Sequence, residues 1–168
     1  MTRRREGPLG ASPARALALL AWLAPILALG AAQAQTAAYL VVRGPDGAEL
    51  ARFDLAEDPT WHLAWRHSVT GILVRDFYAF RDGTMLLTHS HTPAYDAGLG
   101  HIPGRGRAES DGAGGYWIHD LNEPVPGDAY LLRVGSMRVS HTLVHAGERV
   151  NLSESAAGER VRIGVEVP

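Results

Sequence analysis

The chain has 168 residues, 46% hydrophobic and 20% charged, which suits one globular domain with a real core. It has no cysteine, which excludes disulfides and a lipid-modified lipoprotein start. Formal charge is −2, and all 16 basic residues are arginines with no basic stripe beyond the first 34 residues; neither a nucleic-acid backbone nor an anionic bilayer is an expected partner.

The N-terminus reads as a secretory signal. Arg3, Arg4, Arg5 and Arg15 precede an apolar run from Ala16 to Ala32, and Ala32-Gln33-Ala34 places small residues at the cleavage positions. A retained anchor is the alternative, but the run is interrupted by Pro25 and Gly30 and is shorter than the roughly 20 residues a membrane-spanning helix needs. The expected organisation is a signal peptide over 1–34 and a single β domain over 35–168, exported to the periplasm. Removing four arginines and Glu6 leaves about −5 on the mature chain.

Strand signals then follow one another. AYLVVR (38–43) and ELARFDL (49–55) flank the turn Gly44-Pro45-Asp46-Gly47. WHLAWRH (61–67) alternates Trp61, Leu63 and Trp65 against His62, Ala64 and Arg66. ILVRDFYAF (72–80) turns at Asp82-Gly83 into TMLLTHSH (84–91), a hairpin. Between Thr92 and Gly114 seven glycines and prolines forbid helix or central strand and predict a long working loop. YWIHDL (116–121), AYLLRV (129–134), RVSHTLVH (138–145), RVNLSE (149–154) and RVRIGVEV (160–167) complete the pattern. About nine short strands predict an all-β antiparallel sandwich or open barrel, preceded by a signal-peptide helix.

The histidines raise metal chemistry. Leu87, His89 and His91 share one face of a regular strand, and His-x-His is a spacing zinc enzymes use when a third ligand arrives from elsewhere; His67 and His101 are the candidates. The competing reading sets these rings against backbone carbonyls or water at a strand end, and no carboxylate partner is fixed by the spacing. His141 and His145 flank Leu143 on one face and read as a mixed rim. Nucleophilic signatures are weak: His67 and Ser68 point to opposite faces of a strand, and no Gly-x-Ser-x-Gly elbow is present. Glu57-Asp58 and Glu109-Ser110-Asp111 read as solvated loop carboxylates. Gly98-Leu99-Gly100 and Gly104-Arg105-Gly106 read as turns, because no helix follows to hold a phosphate.

A longer pattern joins these fragments: His67-Ser68-Val69 at a strand end, Asp76 on the next strand, the Asp82-Gly83 turn, and Ala97-Gly98-Leu99-Gly100 opening the long loop. It resembles the exported family known as domain of unknown function 1850. The family usually has Glu at Asp76 and Gly-Met at Gly98-Leu99, and some members carry a cysteine pair missing here. The resemblance implies no activity. It implies that the chain is a companion of tripartite ATP-independent periplasmic transporters whose solute receptor is of the immunogenic-protein-like class.

The expected function is therefore a non-catalytic periplasmic accessory or binding module without a cofactor, meeting a solute receptor, a permease or a small ligand. His67, Ser68, Arg75, Asp76, Asp96, Gly98 and Gly100 form its expected rim; the competing structural reading has Ser68 cap the turn and His67 pack beneath the loop, held by a carbonyl. The alternative is a zinc enzyme using His89, His91 and His101.

Overall fold

The computed structural model describes residues 37–94 and 102–168. The segment read as a signal peptide, and the loop residues Asp96, Gly98, Gly100 and His101, lie outside the described residues. Twelve strands form among the described residues: β1 (Tyr39–Arg43), β2 (Glu49–Asp54), β3 (Thr60–Arg66), β4 (Leu73–Arg81), β5 (Thr84–Thr92), β6 (Arg107–Ser110), β7 (Tyr116–His119), β8 (Glu123–Pro124), β9 (Ala129–Arg133), β10 (Thr142–His145), β11 (Glu148–Asn151) and β12 (Arg160–Glu166).

These strands build two antiparallel sheets. The smaller runs β2-β1-β12-β9; the larger runs β11-β10-β3-β4-β5-β7-β6, with β8 also pairing with β5. One core joins Leu40, Val42 and Ile163 from the small sheet to Leu63, Met85 and Leu143 from the large one. Each such side chain contributes about 1.5–3 kcal/mol by leaving water. Two sheets sharing one core make a sandwich, not a closed barrel. Rings tie the layers: Trp61 on β3 stacks on Tyr78 of β4, which stacks in turn on Tyr130 of β9 at 5.5 Å.

Twelve strands stand where about nine were expected, and the differences have local causes. β6 lies inside the segment expected to be loop; its Arg107, Glu109 and Ser110 are exposed at the sheet edge, so it carries no apolar alternation. The run 138–145 is strand only from Thr142, because the backbone turns through Ser140 at φ 54° and Ser140 N–H bonds the Ser136 carbonyl. The run 149–154 leaves the sheet after Asn151, whose side chain accepts from Ser153 N–H and caps one helical turn, α1 (Leu152–Ser155).

One irregularity positions the site. From the Asp82-Gly83 turn, β4 and β5 pair two-for-two from Arg81↔Thr84 to Tyr78↔Leu87, and then the register jumps to Phe77↔His89. Thr88 is the extra residue of a β-bulge, and its hydroxyl donates to the Phe77 carbonyl at 3.0 Å. The bulge reverses which face each later residue occupies. Leu87 therefore packs on the core while His89 and His91 face outward, so the expected sharing of one face by all three does not hold.

Candidate binding site

Adjacent strand residues point to opposite faces, so Arg75 and Asp76 part company. Asp76 faces inward. The register aligns Leu63, Asp76, Ser90 and Ile118 across β3, β4, β5 and β7. A cavity of about 210 Å3 opens there, walled by Trp65, Val74, Leu87, Ile118 and Leu121, with Asp76, Ser90, Thr92 and Arg105 as its polar groups.

The carboxylate is hydrogen-bonded from one side. Ser90 Oγ donates to Asp76 Oδ1 at 2.5 Å, while the Arg75 carbonyl lies 3.2 Å from the same hydroxyl. Burial pushes the Asp76 carboxyl above its ordinary range; the Ser90 hydrogen bond and the Arg105 charge pull it part of the way back. The Tyr78 phenol, two residues along the strand on the same face, is pushed up by burial and then by the Asp76 charge. This is an acceptor held in an apolar recess, suited to a hydrogen-bond donor on an otherwise apolar group.

Arg105 reaches the cavity from the loop between β5 and β6. Its guanidinium forks onto Glu123, with Nε to Oε1 at 2.5 Å and Nη2 to Oε2 at 2.6 Å. The loop is held close to β7 because Gly106, at φ 67°, has no side chain: a Cβ there would lie 2.5 Å from the His119 carbonyl oxygen. Asp111 fixes the far end, accepting from Ala113 and Gly115 N–H groups at 2.8 Å and pairing with His91 Nε2 at 3.0 Å. Those bonds, His91 first, hold the Asp111 carboxyl below its usual range.

Among the described residues expected to form the rim, His67, Ser68, Arg75 and Asp76, only Asp76 lines this cavity. His67 and Ser68 sit in the turn joining β3 to β4, where the His67 imidazole, rather than the Ser68 hydroxyl, caps: its Nδ1 lies 3.3 Å from Thr70 N–H and 3.2 Å from Thr70 Oγ1. Arg75 faces outward. Ser90, Trp65, Arg105 and Glu123 were not singled out from the sequence. Ser90 was hidden by the bulge, since counting back evenly from the turn sets Asp76 opposite His89 instead.

On the outer face His62, Phe77, His89 and His119 form a row of rings, with Phe77 stacked on His89 at 4.2 Å and His89 beside His119 at 6.2 Å. Burial lowers the His62 and His89 pKa values and keeps both rings neutral over a wider range. His89 Nδ1 is 2.9 Å from Thr88 Oγ1, and His91 is engaged by Asp111. Among the described residues no three metal-ligating side chains converge. His141 and His145 are buried rather than at a rim: Gly135 N–H donates to His141 Nδ1, and the His145 ring lies between the Thr60 and Asp54 carbonyls.

No curated protein and no solved structure matches the chain. Residues 61–152, more than half of the chain, run from β3 into α1 and include Asp76, Ser90 and Arg105; they match the Domain of unknown function (DUF1850), and the chain belongs to that family.

Proposed function

We propose that this protein is a non-catalytic binding or accessory module, exported to the periplasm, that serves a tripartite ATP-independent periplasmic uptake system and engages a ligand or partner through the Asp76 cleft. The observation that carries this reading is the cleft itself: a half-buried carboxylate, hydrogen-bonded by Ser90 and surrounded by Trp65, Val74 and Leu87, at the floor of an open recess. Such a floor offers orientation and hydrogen bonding. The Ser90 hydroxyl donates to a carboxylate instead of to an imidazole base, which favours recognition over nucleophilic chemistry. Export and the transporter partnership are supported by the signal-like N-terminus and by the family resemblance.

The test is binding of the solute receptor of such a system to the mature protein, followed by hydrogen exchange. Protection of 102–110 and of β5 on addition of receptor, lost in Asp76→Asn, is the expected result. Unchanged exchange together with one tightly held equivalent of zinc by elemental analysis would replace this reading with the histidine-metal one.

A further inference from the structure

The face of the large sheet opposite the cleft carries a second polar recess. It occupies about 190 Å3 and brings together Arg66 of β3, Arg75 of β4 and Arg149 of β11 with the hydroxyl residues Ser140 and Thr142. The register explains the hollow. Ala64 lies between Thr142 on one side and Arg75 on the other and two residues before Arg66, so a methyl group stands beside two long guanidinium side chains on the same face.

Like Arg81, Arg133, Arg138, Arg160 and Arg162, these three guanidinium groups have no ion-pair partner among the described residues, but these three line one recess. On the small sheet Arg43 and Arg52 are held by Glu166 and Glu49 at 2.8 and 2.7 Å, and Arg105 and Arg107 are held by Glu123 and Glu109. Among the described residues no carboxylate lies within ion-pair distance of Arg66, Arg75 or Arg149; the polar contact of Arg66 is a long one, 3.4 Å, to the Gly71 carbonyl. Their shared field is felt next door, where Arg75 and Arg149 add to burial in lowering the His62 pKa. Three like charges held together on an acidic protein without counter-charges repel one another, and an anion relieves that repulsion.

We propose that this recess is an oxyanion site for a small solute carrying two or more negative charges on carboxylate or phosphoryl groups. Guanidinium forks match the paired oxygens of either group, and the Ser140 hydroxyl, which accepts from Asn151 Nδ2, keeps its own proton to donate, whereas the Thr142 hydroxyl is already given to the Ser140 carbonyl. A polymer backbone is a poorer fit, since the positive charge is confined to one recess on a chain of net negative charge. The site lies on the other side of the sheet from Asp76 and stands or falls independently of the cleft.

Calorimetric titration of the mature protein with citrate in one arm and inorganic phosphate in the other tests it. Saturable binding of one equivalent is expected in at least one arm, weakening as salt rises. Arg75→Gln and Arg149→Gln should each weaken it about ten- to a hundredfold, while Arg133→Gln, on β9 of the other sheet, should leave it unchanged. The responding arm names the oxyanion. Absence of saturable binding in both arms, binding untouched by the Arg75 and Arg149 variants, or equal loss in Arg133→Gln would overturn the proposal.

Discussion

The two faces of the large sheet are written in the same residues and do opposite things. Arg75 and Asp76 are chain neighbours, yet Asp76 enters an apolar recess with Ser90 while Arg75 joins Arg66 and Arg149 above Ala64. The inward face tolerates one charge because a hydroxyl and a distant guanidinium compensate it; the outward face tolerates three like charges because water screens them. Desolvation thus decides what each charge costs, and the pleat decides which charge enters the cleft.

The comparison can be broken first at the core. Leu63, 4% exposed, is the cross-strand neighbour of Asp76. Leu63→Ala should cost about 2–5 kcal/mol in urea unfolding, whereas Arg66→Gln on the outer face should fall within about 0.5 kcal/mol of the parent. Comparable losses at both positions would mean that the outer face is covered.

Gly106→Ala comes next. It forces a positive φ on alanine and drives a methyl into the His119 carbonyl, so a loss of about 1–3 kcal/mol is expected, with faster hydrogen exchange confined to 102–110. Asp111→Ala removes the acceptor of two backbone N–H groups and of His91, and should lower the thermal midpoint while loosening the Asp111–Gly115 turn.

Asp76→Asn gives the smallest change and the most specific one. Because burial raises the folded-state pKa above the unfolded value, the stability linked to this carboxyl is fully present below the ordinary carboxylate range and is lost as pH rises through the folded value. The variant should therefore melt above the parent at neutral pH, and the gap should close on acidification. A lower melting point at neutral pH would show that the ionised carboxylate is a net stabiliser and the recess better solvated than its burial implies.

Much of the fold was legible because it rests on alternation. Trp61, Leu63, Val74, Tyr78 and Met85 recur at the period of a pleated strand, and Asp82-Gly83 marks its hairpin. β6 and β8 were not legible, since short edge strands carry charge and proline and gain their pairing from neighbours. The candidate site was half legible: Asp76 stood out through the family pattern that joins it to His67-Ser68-Val69, but its partner Ser90 depends on a bulge at Thr88 that nothing in the local composition announces.

By itself, the sequence determined an all-β chain, its hairpins and the absence of disulfides, because these depend on residue period, turn chemistry and composition. Tertiary structure alone decided which charges meet. Arg66, Arg75 and Arg149 are scattered along the chain and form no stripe in it, yet β3, β4 and β11 bring them to one recess. The physical reason is that hydrogen-bonded register, set between strands distant in sequence, fixes side-chain neighbours to within one residue, and a single inserted residue exchanges the two faces.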